Sequence, residues 1–238
     1  MESVKGKHVL IVGATGGIGA ATARLLAGSG AQVFLAGRNA EKLQQVATSL
    51  QLPSNRICVV DVSQAASVEG LRTAYFSVFP AIDVLINATG VGIIRPVEQL
   101  SEEDFITSLH TNLLGSFLLV KAFLPAMKET KKGLIINIPG VLGKVPMAGA
   151  AAYSASKYGL TGMMQSIREE LKRTDIRITN LFLGGVDSPF WDQIDLRVQR
   201  EKMIRSEEAA KAIWFLCQQP ASGVVSEMVL QPFNHQAI

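Results

Sequence analysis

The chain has 238 residues, 48% of them hydrophobic, 18% charged and 21 of them glycine, which excludes a disordered or fibrous protein and describes a buried core with many tight turns. The formal net charge is only +3 and Lys and Arg are scattered, so no electrostatic footprint for nucleic acid is present. That length suits one doubly wound α/β domain spanning residues 1–238 and does not demand two.

The N-terminal segment Met1–Lys7 offers no hydrophobic core of a signal peptide. The longest apolar stretch, Leu113–Met127, is broken by Lys121 and Pro125 and falls short of a bilayer span. Cys58 and Cys217 sit far apart in apolar runs, the pattern of buried, reduced thiols. The expectation is a soluble, cytoplasmic protein without a membrane partner.

Seven short apolar runs predict strands at 7–12, 32–37, 56–61, 83–88, 133–138, 176–182 and 226–231. Helical spacing separates them. Ile18, Thr22, Leu25 and Leu26 share one face, as do Val68, Leu71, Tyr75 and Val78 in a helix that Ser63 is placed to cap. Leu160, Met163, Met164, Ile167 and Leu171 mark a later helix, and Ser206-Glu207-Glu208 opens the last. This alternation predicts a Rossmann-like α/β fold: a seven-stranded, mostly parallel sheet with helices on both faces. Strands apolar on both sides, such as Val9-Leu10-Ile11-Val12, agree with burial from two directions.

After the first strand comes Gly13-Ala14-Thr15-Gly16-Gly17-Ile18-Gly19, leading into a helix. Glycines there let the backbone turn sharply and approach a pyrophosphate, to which the helix N-terminus presents N–H groups. The second strand ends at Ala36-Gly37-Arg38. An acidic residue at that tip would accept bonds from a ribose 2′-hydroxyl; Arg38 instead suits a 2′-phosphate, favouring NADP(H) over NAD(H), unless it is a solvated surface arginine. Asp61, at the end of the third strand, is placed either to meet an adenine edge or to start the next turn with Ser63.

Tyr153-Ser154-Ala155-Ser156-Lys157 puts a phenol and an ammonium four residues apart, on one helix face. A neighbouring ammonium lowers a phenol's pKa, so that Tyr153 can exchange a proton with a carbonyl or alcohol oxygen. The pair opens the helix after the fifth strand, where loops at the carboxyl ends of strands face the ligand crevice.

On these residues the chain resembles the classical short-chain dehydrogenase/reductase family over about 230 residues, carried by Gly13/Gly17/Gly19, Asp61, Asn87-Ala88-Thr89-Gly90, Asn112, Tyr153/Lys157 and Gly184-Gly185-Val186-Asp187-Ser188. The resemblance implies hydride transfer between NADP(H) and a small carbonyl or alcohol substrate: an activated ketone, a diketone or a 3-oxo/3-hydroxy acid. It implies catalytic roles for Tyr153, Lys157 and Asn112, the last positioning a water that relays protons to Lys157. Cofactor contacts are implied for Gly13, Thr15, Gly16, Gly17, Ile18 and Gly19, for Arg38, Asp61 and Val62, and for Asn87, Ala88 and Gly90. Lys157 would also hold the nicotinamide ribose beside Tyr153, with Gly184, Val186 and Ser188 near the carboxamide. The C-terminal run Val225–Pro232 is similar to endings among 3-hydroxy acid and serine dehydrogenases. In relatives, apolar faces on helices at about 103–129 and 153–172 pair between subunits, implying a homodimer or homotetramer.

Three positions depart from the family pattern: Ala88 replaces an Asn, Leu183 a Pro, and Gly140 stands thirteen residues before Tyr153 where the catalytic serine belongs. Residues 137–150 contain no Ser or Thr at all. Losing one such donor typically costs about 10²–10³ in rate. Three readings follow: another group polarises the carbonyl, the substrate is intrinsically electrophilic, or the chain is a weakened or inactive NADP(H)-binding sensor or scaffold. Persistence of Tyr153, Lys157 and Asn112 together favours an active enzyme.

His8, His110 and His235 show no metal-ligand spacing, so no metal site is indicated. His110 lies about 200° around a helix from Asn112. Pro189-Phe190-Trp191 through Arg205 would fold over substrate as a lid, or its aromatics serve ordinary packing. Lys144 is either a cation for an acidic substrate or a solvated loop lysine.

Overall fold

A computed structural model describes residues 2–234, so His235 lies outside the described residues. Strands β1 (His8–Val12), β2 (Gln32–Gly37), β3 (Ile57–Val59), β4 (Val84–Asn87), β5 (Lys132–Asn137) and β6 (Asp175–Leu183) precede a short parallel pair, β7 (Val186–Asp187) and β8 (Ile204–Arg205), and a last strand, β9 (Glu227–Leu230). Helices α1 (Gly17–Gly28), α2 (Ala40–Ser49), α3 (Ala65–Phe76), α4 (Glu102–Leu109), α5 (Gly115–Thr130), α6 (Ala151–Glu170) and α7 (Ser206–Leu216) alternate with them.

All seven predicted strands lie in one sheet, ordered β3-β2-β1-β4-β5-β6-β9, with every pairing parallel. Its two faces bury separate cores. Leu26 of α1, Leu43 of α2 and Ile213 of α7 cover Ile11, Leu35 and Ile136, while Leu71 of α3, Phe123 of α5 and Leu160 and Met164 of α6 cover Leu10, Leu85 and Ile135. Strand order reverses between β1 and β4, which opens a crevice at their carboxyl ends.

Four expectations change. The third strand keeps only Ile57–Val59 of the six predicted residues, because it is the sheet edge and Val59 is exposed. Ser63 does not cap α3; Gln64 stands at that N-cap, and the Ser63 hydroxyl donates to Asp61 Oδ1 at 2.7 Å. The helix expected near 103–129 divides at a π-helical turn, His110–Leu114, which contains Asn112. Ser101 caps α4 by accepting from the Asp104 N–H, and Asp104 accepts in return from the Ser101 N–H. Neither Lys121 nor Pro125 interrupts the helical run from Glu102 to Thr130, which by length and composition is apolar enough to cross a bilayer. Here it packs on the sheet, burying Leu119, Val120, Phe123 and Met127. Burial raises both cysteine thiols, that of Cys217 to about 12.

Candidate active site

The first turn after β1 is built by contact. Gly13 has φ +88°, a left-handed conformation, and a Cβ there would strike the Ala88 carbonyl at 2.6 Å. Gly19 packs against the Gly13 carbonyl, and a Cβ at Gly17 would lie 2.7 Å from the Ser188 Cβ. The glycine spacing thus joins the start of α1 to the loop after β4 and to the segment after β6. Gly16 is the N-cap of α1, so the N–H groups of its first turn, including those of Gly17, Ile18 and Gly19, face the crevice without intrahelical partners. Thr15 packs on Gly37, whose Cβ position is 3.2 Å from the Thr15 hydroxyl and methyl.

Arg38 is exposed just beyond that contact. Asp61 holds Ser63 through both N–H and hydroxyl, and these bonds, followed by the Arg38 charge, keep its carboxyl below the usual range. Its bonding matches the turn-starting alternative, and its carboxylate also feels the Arg38 cation. Val62 is buried against α5, where a Cβ at Gly115 would meet its Cγ2 at 2.7 Å.

Asn87, Asn112, Ser116, Ser156 and Lys157 converge below the crevice, all buried. Asn87 Nδ2 donates to Ser116 Oγ at 2.7 Å, and Ser116 donates to the Asn112 carbonyl at 2.8 Å. The Asn112 amide accepts from Val91 N at 2.8 Å and donates to the Val91 carbonyl at 3.0 Å and to Ser156 Oγ at 2.9 Å. Ser156 donates to the Tyr153 carbonyl at 2.7 Å. A hydrogen-bonded line therefore runs from the end of β4 to the turn of α6 that carries the phenol. A Cβ at Gly90 would stand 3.3 Å from both Asn112 Oδ1 and Lys157 Nζ. Ala88 N donates to the Val12 carbonyl, and Thr89 hydroxyl to Asn87 Oδ1 at 2.6 Å.

Lys157 Nζ lies 5.6 Å from the centre of the Tyr153 ring and donates to the Ile138 carbonyl at 3.1 Å. Burial lowers the Lys157 ammonium to about 8 and pushes the Tyr153 phenol above its usual range. The phenol therefore moves opposite to the expected acidification by Lys157, with burial as the cause. A lysine so lowered remains mostly protonated at neutral pH, yet it releases its proton readily.

Gly140 adopts φ +70°, ψ 169°, a region essentially reserved for glycine, and its Cβ position lies 4.0 Å from the Tyr153 hydroxyl. On the other side, Phe190 packs its ring 6.0 Å from that of Tyr153. Val186 and Ser188 are buried, Gly184 packs on Pro232, and the Val186 carbonyl accepts from Trp191 Nε1 at 2.9 Å. Lys144 meets neither expectation: it is ion-paired to Glu227 at 2.5 Å and lies over the Phe182 ring at 4.5 Å.

Ser116, Ser156 and the Val91 backbone escaped sequence reading. Ser156 sits inside the Tyr153–Lys157 motif and was open to suspicion there; Ser116 and Val91 meet Asn112 only through the fold.

Such a molecule is a parallel α/β protein with a glycine turn, a crevice and a buried tyrosine–lysine pair at the carboxyl ends of its strands. Residues 7–199 match the model of the short chain dehydrogenase family, and the chain belongs to it. An uncharacterized oxidoreductase of Staphylococcus epidermidis is 29% identical over 98% of this chain and 100% of its own length. An alcohol dehydrogenase of the archaeon Thermococcus sibiricus, complexed with 5-hydroxy-NADP, is 28% identical, with TM-score 0.88 over 98% of this chain and 99% of its own. A metagenomic short-chain oxidoreductase in complex with NADP is 31% identical, with TM-score 0.84 over 97% and 99%.

Proposed function

We propose that this oxidoreductase transfers hydride between NADP(H) and a carbonyl/alcohol pair, with Tyr153 as the acid/base. The observation that carries this reading is the buried line from Asn112 through Ser156 to the Tyr153 carbonyl, with Lys157 Nζ 5.6 Å from the Tyr153 ring, beside a glycine turn shaped for close approach. When bound, NADPH supplies the hydride.

The turn of Gly13, Thr15, Gly16, Gly17, Ile18 and Gly19 would hold the pyrophosphate, and Arg38 the 2′-phosphate. Asp61 and Val62 would border the adenine; Asn87, Ala88 and Gly90 the middle; Lys157 the nicotinamide ribose; Gly184, Val186 and Ser188 the carboxamide. An arginine in place of an acid at the β2 tip, together with NADP forms bound in the two related structures, supports NADP(H) over NAD(H).

In reduction, Tyr153 donates its hydroxyl proton to the carbonyl oxygen as the carbon gains hydride, and Lys157 restores that proton. Asn112 holds Val91 and Ser156 so that the relay keeps its alignment. Gly140 takes the place of a serine donor, and its backbone leaves no side chain to polarise the carbonyl. That favours an electrophilic substrate such as an activated ketone or diketone; it is also the observation favouring the second reading, an NADP(H) binder with little turnover.

Loss of NADPH absorbance with a panel of activated ketones and diketones separates the two. Turnover unchanged in Tyr153→Phe would overturn the mechanism. Phe105, Ile106, Phe117 and Tyr158, exposed on α4, the α5 helix and α6, support a homodimer or homotetramer, checked by light scattering.

A further inference from the structure

We propose that the substrate is an uncharged ketone bearing a flat, apolar substituent such as an aryl ring, and that Phe190 selects it. This rests on the carbonyl-reduction reading above and names the substrate class of that site.

Phe190 is held facing Tyr153, their ring planes at 52°. Trp191 stands perpendicular to Phe190 at 5.4 Å and is itself anchored to the Val186 carbonyl. The far end of the Phe190 ring occupies the place where a Cβ of Gly92 would be, and Ile194 Cδ1 lies 2.8 Å from the same point. Gly92 therefore admits an aromatic side chain that reaches across from the segment after β7 to the loop after β4. Opposite, the Gly140 Cβ position meets the Leu183 carbonyl at 3.4 Å and the Tyr153 hydroxyl at 4.0 Å, so the wall beside that hydroxyl is backbone and carries no side chain. An apolar group entering there finds an aromatic face and no side-chain hydroxyl on residues 137–150.

Three cations on the loops after β4, β5 and β7 are paired with carboxylates. Arg95 is paired with Asp104 at 3.1 Å, Lys144 with Glu227, and Arg200 with Asp187 at 2.6 Å and Asp192 at 2.7 Å. Arg197 and Lys202, on the segment between β7 and β8, are exposed to solvent. Lys157 is engaged with Ile138 and belongs to the proton path. A substrate carboxylate would lose its hydration and, among the described residues, find no cation against the Tyr153 ring except Lys157, a costly exchange. An aryl ring gains a ring partner instead.

The test measures binding to the enzyme–NADP⁺ complex by calorimetry, where ketones bind without turnover. Methyl phenylglyoxylate, its free acid phenylglyoxylate and methyl pyruvate are the probes. The expected result is that the aryl ester binds at least tenfold more tightly than the acid and than methyl pyruvate. Phe190→Ala and Phe190→Leu should each reduce the aryl preference over methyl by about two- to tenfold, with NADP⁺ binding intact as the sign of a folded protein. Equal or tighter binding of the acid, an aryl preference unchanged in both variants, or no binding of any probe would overturn the proposal. Failure of hydride transfer shows separately, as NADPH that is never consumed.

Discussion

The side-chain amide of Asn112 bonds both backbone groups of Val91, accepting from its N–H at 2.8 Å and donating to its carbonyl at 3.0 Å. One side chain thereby fixes the loop after β4 to the π-helical turn, and its remaining N–H reaches Ser156 on α6. Asn112→Asp keeps the shape but sets a second acceptor against the Val91 carbonyl and removes the donors. We expect a loss of about 1–3 kcal/mol in stability, the cost of unpaired buried polar groups, read as a lower denaturation midpoint, with kcat falling more than KM changes.

Tyr153→Phe deletes the proton donor while leaving the ring against Phe190. Reductase kcat/KM should fall by about 10²–10⁴. Binding of NADPH, followed by its fluorescence, should stay within a factor of about two of the parent; a parallel loss of binding would assign Tyr153 to cofactor affinity instead.

Lys157 provides a pH signature. Its ammonium is held near 8 by burial, against an ordinary value of 10.5. Since the folded value is the lower one, the unfolded chain binds the extra proton between about 8 and 10.5, so the Lys157 contribution to stability should rise with pH across that window, while the raised Cys217 thiol contributes the opposite slope above about 9. Below it, both states are protonated and the cost of burying the charge is fully present, at most about 3 kcal/mol. Lys157→Met should remove this contribution, read as the difference between parent and variant denaturation midpoints from pH 7 to 11. Reductase kcat/KM of the parent should be flat below about pH 8 and decline above it, as the group that restores the Tyr153 proton empties.

Arg38→Ala should weaken NADPH about tenfold to a hundredfold, the loss of a charge-assisted phosphate pair, and leave NADH affinity unchanged. Titration of both nucleotides checks it. Equal loss for both would make Arg38 a general electrostatic contributor rather than a reader of the 2′-phosphate.

Gly140→Ser places a hydroxyl on a Cβ position 4.0 Å from the Tyr153 oxygen. The backbone there has φ +70°, so the variant should lose about 1–3 kcal/mol of stability. If the absent donor limits the rate, turnover rises tenfold or more below the melting temperature. Gly140→Ala carries the same backbone strain without the hydroxyl and should show the stability loss with no gain in rate.

The strand pattern, the glycine turn and the Tyr153/Lys157 spacing were legible in the sequence because periodicity and motif spacing are local properties. A run such as Val9-Leu10-Ile11-Val12 must be buried on both sides, and two residues four apart on a helix must share a face. The absence of Ser and Thr from residues 137–150 was equally visible, but the positive φ of Gly140 was not, since backbone conformation depends on the loop's closure between β5 and α6.

Relations across long chain separations lay beyond sequence reading. Lys144 was weighed as a cation for substrate; its partner, Glu227, is 83 residues away and arrives only when β9 joins the sheet beside β6. The same holds for Gly92 beneath Phe190, for Asn87 bonded to Ser116, and for the upward shift of the Tyr153 phenol. Local sequence determined which elements form and where the glycine turn and the Tyr153/Lys157 spacing fall. Tertiary packing alone decided which of those groups lose water and which charges neutralise one another, because desolvation and Coulomb attraction depend on distance in space and not on position along the chain.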